Sequence, residues 1–211
     1  MWPWRSHDRL FHDTIECLVA ALEARDPYTC GHSQRVADLA LDLGRRVGLR
    51  GRELELVHVA AHVHDIGKIG VPDYILRKPG RLFPHERAVV ERHAEIGYQI
   101  LSKCPGLRSV ARIVLHHHER WDGRGYPAGL AGLEIPLGAR IIALADAVDA
   151  MTSHRPYRPA LSWDACWAEV TGGRATHFDP VLVDAAEQLW PQWRRRFERA
   201  TQVPVGQPGT T

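Results

Sequence analysis

The chain carries, at residues 60–73, the stretch AAHVHDIGKIGVPD, in which His64 immediately precedes Asp65. Further imidazole and carboxylate groups follow after long gaps, at His93, in the run HHHE at 116–119, and at Asp146. Side chains of these types on successive segments can hold metal ions, and metal ions generate hydrolytic nucleophiles at neutral pH. The pattern therefore indicates a metal-dependent hydrolase.

The composition is that of one globular domain. The 211 residues, 45% of them hydrophobic and 25% charged, are enough for a substantial core but not for a second full domain. The formal net charge of +2 gives no general attraction for DNA or RNA, so an anionic ligand must be bound by local groups. The four cysteines are widely spaced without a C-x-x-C pair, which favours reduced thiols in the cytoplasm. We expect no membrane span, because no apolar run is long enough.

Apolar residues recur with a period near 3.6 in eight segments, and no segment shows strand-like alternation. The predicted helices are 8–25, 33–48, 52–65, 84–103, 107–118, 137–151, 162–171 and 180–199. The fold class is therefore all-α, with one compact domain over 8–199. The last residues, 200–211, are rich in Pro, Gly and Thr and predict a disordered tail. The basic and aromatic stretch at 190–199 could contact nucleic acid or membrane, but inward packing of Trp190 and Trp193 is favoured.

Helical periodicity directs several candidate ligands toward the interior. His93 lies on the stripe formed by its apolar neighbours, and His117 and His118 share a stripe with Val110, whereas His116 turns away. A single inward histidine is more often a core residue than a ligand. Several inward imidazoles together with inward carboxylates favour a metal site instead.

The helix at 137–151 carries Asp146 and Asp149 on one side, next to Ile142. Buried carboxylates need compensation, and a cation is the natural partner for Asp146. Asp149 is expected to orient a ligand or the following loop. His32 begins the stripe of the helix at 33–48, where a histidine can cap the helix or bind a metal, and the residues alone leave both open.

One ambiguity lies within the central stretch. His58, His62 and Asp65 share a helical face, so periodicity pairs His62 with Asp65, while His64 points about 100° away from Asp65. If the helix ends near Gly67, His64 could approach the site from the side. His58 and His62 would then serve in packing or in outer hydrogen bonds.

The chain resembles the HD-GYP family over about residues 14–183. The resemblance rests on four motifs: RDPYTCGHSQRV at 25–36, HDIGK at 64–68, HHERWDGRGYP at 117–127, and RPYR at 155–158. It implies an all-helical HD-type domain that hydrolyses the bacterial messenger cyclic di-GMP, with a long Gly/Pro-rich loop at the active site.

The resemblance also implies a ligand set around two divalent ions that share Asp65. One ion would be held by His32, His64, Asp65 and Asp146, and the other by Asp65, His93, His117 and His118. Some family members hold a third ion through a glutamate, but Tyr28 stands at that position here, so we expect two. A ligand set of nitrogen and oxygen without thiolate favours iron or manganese.

Substrate contacts are expected around this centre. The segment 119–138 is too long for an ordinary connection and begins directly after two expected ligands, which favours a position at the pocket mouth. Tyr126 is expected to form an aromatic wall for a guanine, and Lys68 to meet a phosphate oxygen or the departing hydroxyl. Arg155 and Arg158 can pair with phosphate or a guanine edge. Asp149 is grouped with these substrate-binding residues, and Asp65 and Lys68 are the expected catalytic residues.

The expected reaction is in-line attack of a metal-bridging hydroxide on cyclic di-GMP, which gives linear pGpG. Whether a second round yields GMP stays open. The alternatives are another HD-type nucleotide phosphohydrolase, against which the GYP loop argues, and a cyclic dinucleotide sensor or protein-docking module without turnover. Homodimer formation and docking to signalling proteins are also left open.

Overall fold

The computed structural model describes residues 6–25, 31–154 and 159–201, with side chains at 13–25, 31–154 and 159–198. In these ranges the chain is helical, with no β-strand and only two isolated bridges. The α-helices are α1 (Ser6–Arg25), α2 (His32–Arg46), α3 (Gly51–Val63), α4 (Asp73–Leu76), α5 (Pro84–Glu91), α6 (His93–Leu101), α7 (Arg108–Leu115), α8 (Leu137–Thr152), α9 (Trp163–Gly172) and α10 (Pro180–Thr201). Short 3-10 helices occupy Ile66–Gly70, Pro105–Leu107 and Gly132–Glu134. The all-α prediction is confirmed, and the expected disordered tail lies almost entirely outside the described residues.

The core forms where α2, α3 and α8 pack together, with α7 against α3 and α10 across α2. Leu39, Leu43, Ile141 and Leu144 are fully buried there, so the apolar stripes of α2 and α8 face one another. Trp193 of α10 is also fully buried, and its Nε1 donates a hydrogen bond to Asp42 Oδ2 at 3.0 Å. The expected inward packing of Trp190 and Trp193 is confirmed.

Three predicted helices run past a candidate ligand at or near which the structure ends or divides them. The helix predicted over 52–65 ends at Val63, the one over 107–118 ends at Leu115, and the one over 84–103 is divided at Arg92. His64 directly follows α3, His117 lies two residues after the end of α7, and His93 begins α6 after the break. Each of these imidazoles turns back, and its Nδ1 donates to the carbonyl oxygen three residues earlier, at 2.6–2.8 Å. The side chain thus bonds a carbonyl in the last turn, so each helix ends beside a histidine.

Two further short helical segments, Ile66–Gly70 and α4, lie between the helices predicted over 52–65 and 84–103. The first begins directly after Asp65 and packs against the start of α6. Gly67 makes this packing possible, because a Cβ at this position would lie 1.8 Å from the carbonyl oxygen of His93. The turn that follows Asp65 is therefore held against the segment that carries His93.

None of the helices in the described ranges combines the length and the apolar character needed to cross a membrane.

Candidate metal centre

Four helix ends and the middle of α8 bring seven candidate ligands together. His32 begins α2, His93 begins α6, and Asp146 lies within α8. The pairs His64–Asp65 and His117–His118 follow the ends of α3 and α7. The donor atoms form three groups in which all atoms lie within 4.8 Å of one another: His32, His64 and Asp146; His64, Asp65 and His117; and His93, His117 and His118. Every residue predicted to bind metal is brought into this one region.

The first half of the site is built by α2, α8 and the end of α3. The Nε2 atoms of His32 and His64 lie 3.4 Å apart, and Asp146 Oδ1 lies 3.4 Å from His32 Nε2. His32 and His64 are buried, whereas the Asp146 side chain is 21% exposed. This half of the site is therefore closed by protein except on the side of Asp146.

The second half is built by the start of α6 and the residues after α7. His93 and His117 are buried, and their Nε2 atoms lie 3.3 Å apart. The His118 ring packs against both, with ring centroids 5.0 Å from His93 and 4.0 Å from His117.

Asp65 lies between the two halves. Its Oδ2 is 3.5 Å from His64 Nε2 and 3.9 Å from His32 Nε2, while its Oδ1 is 3.6 Å from His93 Nε2. One carboxylate oxygen therefore faces each half, which is the arrangement that a bridging ligand requires.

The hydrogen bonds of the imidazoles leave unshared electron pairs directed into the site. Nδ1 of His64, His93 and His117 faces a backbone carbonyl, and Nδ1 of His32 faces Asp149 Oδ2 at 2.7 Å. The proton of each neutral ring therefore belongs on Nδ1, which leaves Nε2 as an acceptor. Two such nitrogens 3.3–3.4 Å apart repel each other unless a cation lies between them. Nitrogens that bind one ion at about 2.1 Å lie roughly 3.0–3.4 Å apart, so the residues fit a metal ion.

Burial and neighbouring charges set the protonation of the site. Burial lowers the pKa of His93 and His117, and it lowers the pKa of His118 to about 3 with a further contribution from His93. These rings are therefore neutral, as metal ligands must be. Burial opposes ionisation of Asp65, but Lys68 and His64 outweigh it and hold the pKa of this carboxyl well below its usual range.

Lys68 lies beside the carboxylate that faces both halves. Its Nζ donates to Asp65 Oδ2 at 2.6 Å, and its side chain is 21% exposed. The Lys68 side chain is thus partly open to solvent at the edge of the cluster.

Asp149 contacts a candidate ligand and not the open side of the site. One oxygen accepts from His32 Nδ1, and Arg35 binds the carboxylate through Nε at 2.5 Å and a second nitrogen at 3.2 Å. The same guanidinium donates to Ser153 Oγ at 3.3 Å, where α8 ends. Arg35 was missed by the sequence reasoning, although it lies three residues after His32 and so on the same face of α2.

The long connection at 119–138 folds onto the site. Tyr126 stacks on His118 with ring centroids 4.9 Å apart, and its amide donates to the His118 carbonyl at 3.2 Å. Buried Glu119 accepts a hydrogen bond from the Ala128 amide at 2.8 Å and so ties the loop back to its own start. Gly125 is confined as well, because a Cβ there would lie 2.4 Å from the amide nitrogen of Arg120.

The remaining candidates fall outside the cluster or outside the described residues. His58 and His62 are buried and pack edge to face at 4.5 Å, and neither belongs to a group of candidate ligands. Because α3 ends at Val63, His64 and not His62 lies beside Asp65. His116 lies 3.5 Å from the carboxylate of Glu119. Tyr28, Arg155 and Arg158 lie in ranges that the structure does not describe.

Comparisons with known proteins agree with this architecture. A family model described as HD domain matches residues 16–182. The cyclic di-GMP phosphodiesterase response regulator RpfG of Xanthomonas campestris is 43% identical over 175 residues, covering 82% of this chain and 46% of that protein. The 3′3′-cGAMP-specific phosphodiesterase 3 of Vibrio cholerae is 40% identical over 190 residues, covering 88% of this chain and 41% of that protein.

Among solved structures, a cyclic GMP-AMP-specific phosphodiesterase of V. cholerae is similar with a TM-score of 0.64 at 19% identity, covering 91% of this chain and 53% of that one. This likeness concerns the fold. The chain spans about half the length of the first curated relatives that it matches. The match over most of its residues, together with the HD-GYP motifs, means that the chain belongs to the HD domain family.

Proposed function

We propose that this domain is a metal-dependent phosphodiesterase that hydrolyses cyclic di-GMP. The observation that carries the proposal is the position of the Asp65 carboxylate, whose two oxygens face two separate groups of imidazoles. Sites of this kind hold two ions that stabilise both the attacking and the leaving oxygen of a phosphodiester. The names of relatives at 37–43% identity, several of which are called cyclic di-GMP phosphodiesterases, support the substrate.

In this proposal His32, His64, Asp65 and Asp146 hold one ion, and Asp65, His93, His117 and His118 hold the other. The bound ions would supply a hydrolytic nucleophile and positive charge next to the phosphate. The absence of thiolate among these residues supports iron or manganese. Asp149 positions His32 through Nδ1, because both of its oxygens are already engaged by His32 and Arg35.

Lys68 and Tyr126 are proposed to contact the substrate directly. The Lys68 ammonium lies at the edge of the cluster, where it can neutralise a phosphate oxygen or the charge that develops on the departing 3′ oxygen. Tyr126 extends the aromatic surface of His118 and offers a wall on which a guanine can stack. Arg155 and Arg158 remain proposed contacts to phosphate or guanine on the basis of the motif RPYR. We propose an in-line displacement with linear pGpG as the first product.

The test is metal analysis of anaerobically purified protein combined with chromatography of the nucleotide products. We expect two bound ions per chain and conversion of cyclic di-GMP to pGpG. Asp65→Ala removes the one carboxylate that faces both halves, so this variant should lose both ions and turnover together. Intact cyclic di-GMP after incubation with metal-loaded protein would contradict the proposal.

Two other functions are separated by the same assay. The similarity to 3′3′-cGAMP-specific phosphodiesterases favours a test of that nucleotide in parallel, since its faster hydrolysis would change the assigned substrate and keep the reaction. Tight binding of cyclic di-GMP without any product would identify a sensor instead.

A further inference from the structure

The guanidinium of Arg25, the last residue of α1, is bound to the segment that follows Asp65. Its NH1 group donates to the carbonyl oxygens of Lys68 at 3.2 Å and Ile69 at 2.6 Å, and its NH2 group donates to that of Val71 at 2.6 Å. The Nε atom completes the set with a 2.8 Å hydrogen bond to Asp73. One side chain thus holds four acceptors that lie more than forty residues away along the chain.

The end of α1 is itself fixed. The carbonyl oxygen of Arg25 accepts two hydrogen bonds from Arg77, at 2.5 and 2.9 Å, so the contact runs in both directions. Two residues earlier, the Glu23 carboxylate accepts hydrogen bonds from the amides of Gly31 and Ser33, which flank His32. The last turn of α1 is therefore tied to the start of α2 and to the segment after Asp65, next to two of the three elements that build the first half of the site.

Among the described residues, the outer side of the held segment is partly exposed. Its own backbone bonds join Lys68 to Asp65 and Val71 to Lys68, and Ile69 is 58% exposed. On the inner side, Gly67 contacts the start of α6. Arg25 closes the outer side, so its three carbonyl contacts fix the backbone from which the Lys68 side chain reaches Asp65.

We propose that Arg25 is a positioning residue that fixes the Lys68 ammonium against Asp65 by binding the Lys68–Val71 backbone. The proposal rests on the proposed function only for its kinetic consequence. A displacement of about 1 Å at a reacting group can cost roughly a hundredfold in rate. We therefore expect loss of the Arg25 contacts to lower kcat and to leave the ligand groups intact.

The kinetic test compares Arg25→Gln with Arg50→Gln in the whole chain, with cyclic di-GMP as substrate. Arg50 also binds two backbone carbonyls, at 2.7 and 2.8 Å, but it does so between α2 and α3, at the ends of these helices opposite His32 and His64. Arg25→Gln should lower kcat about tenfold or more while KM and metal content change less than about threefold, and Arg50→Gln should match the wild type. Arg25→Lys keeps the charge but loses the planar guanidinium with its several donors, so its kcat should lie between those of Arg25→Gln and the wild type.

A double variant shows whether Arg25 acts through Lys68. If it does, Arg25→Gln combined with Lys68→Ala should be no slower than Lys68→Ala alone, because the positioned group is already absent. If the fold losses of kcat in the two single variants multiply in the double variant, the proposal is overturned. So would equal losses of kcat in the Arg25→Gln and Arg50→Gln variants.

Amide hydrogen exchange gives a readout that does not depend on activity. Peptides that cover residues 66–72 should exchange faster in Arg25→Gln than in the wild type and in Arg50→Gln, while peptides from α8 should be unchanged. Unchanged exchange at 66–72 would overturn the positioning role even if the domain is active. An inactive wild type with faster exchange in Arg25→Gln would instead contradict only the proposed function.

Discussion

His32 Nδ1 and Asp149 Oδ2 are joined by a 2.7 Å hydrogen bond that directs His32 Nε2 toward Asp146 and His64. Carboxylates that bind the outer nitrogen of a ligating histidine fix its tautomer and raise its basicity. The pKa of His32 is raised accordingly, because Asp149, Asp146 and Asp65 together outweigh the opposing effect of burial. Asp149 therefore holds the His32 imidazole in one orientation.

Asp149→Asn should lower the affinity for one of the two expected metal ions by about 10–100-fold and leave the affinity for the other nearly unchanged. Among the candidate ligands, only His32 loses its charged partner. Metal titration monitored by calorimetry measures both affinities. Asp38→Asn is the control, since Asp38 lies on the same helix as His32 but bonds only Gln34 among the hydrogen bonds described for it. Equal affinity in the Asp149 variant and the wild type would contradict this role.

Adding metal should stabilise the fold, because the bare Nε2 atoms repel each other without it. At a free ion concentration 100-fold above the dissociation constant, the gain is about 2.7 kcal/mol for each bound ion. The melting temperature with manganese and with a chelator measures it. His117→Gln should lose the gain from the ion beside His93, about half of the total, while His116→Gln, which changes a neighbour outside the ligand groups, should keep it. A gain that is the same in both variants would exclude His117 as a ligand.

Gly67→Ala should destabilise the domain, because the added methyl group would meet the His93 carbonyl oxygen at 1.8 Å. Overpacking of this kind typically costs about 1–3 kcal/mol. Gly106→Ala provides the control, since no atom lies within 4 Å of a Cβ at that position. Urea unfolding measures both free energies, and a Gly67 variant as stable as the Gly106 variant would contradict the close packing of the turn on α6.

The metal-free protein should lose stability as the pH falls from about 7 to 5. The pKa values of His93, His117 and His118 are lowered in the folded state, so below about 6.5 the unfolded chain binds protons that the folded chain does not. Each such proton lowers the free energy of unfolding by up to about 1.4 kcal/mol per pH unit. The raised pKa of His32 favours the folded state as the pH falls, but it is one group against three. Urea unfolding in chelator at both pH values tests this, and equal or greater stability at pH 5 would contradict it.

The sequence predicted the all-helical class and the residues that the structure brings together, but not the ends of the helices that carry them. Periodicity continues through His64, His93 and His117, because an inward histidine satisfies the helical pattern as well as an apolar residue does. In the structure a helix ends one or two residues before each of them, and Nδ1 of each ring bonds the carbonyl three residues earlier. This local contact has no signal in hydrophobicity, and it explains why spacing alone favoured His62 over His64 as the partner of Asp65.

Other parts of the site depend on contacts between distant segments. Gly67 reads only as a turn residue in the sequence, and its close contact with His93 depends on how α6 packs. Arg35 and Arg25 carry no motif of their own that distinguishes them from surface arginines. Their acceptors lie 114 and more than 40 residues away, so they could be recognised only from the folded chain.

The most direct test of the account is anomalous diffraction, at the absorption edge of the bound metal, from crystals of the metal-loaded domain. Two peaks are expected, one on each side of Asp65, with the first between His32 and Asp146 and the second beside His93 and His117. A single peak, or peaks away from both groups of imidazoles, would contradict the dinuclear centre on which the proposed function depends.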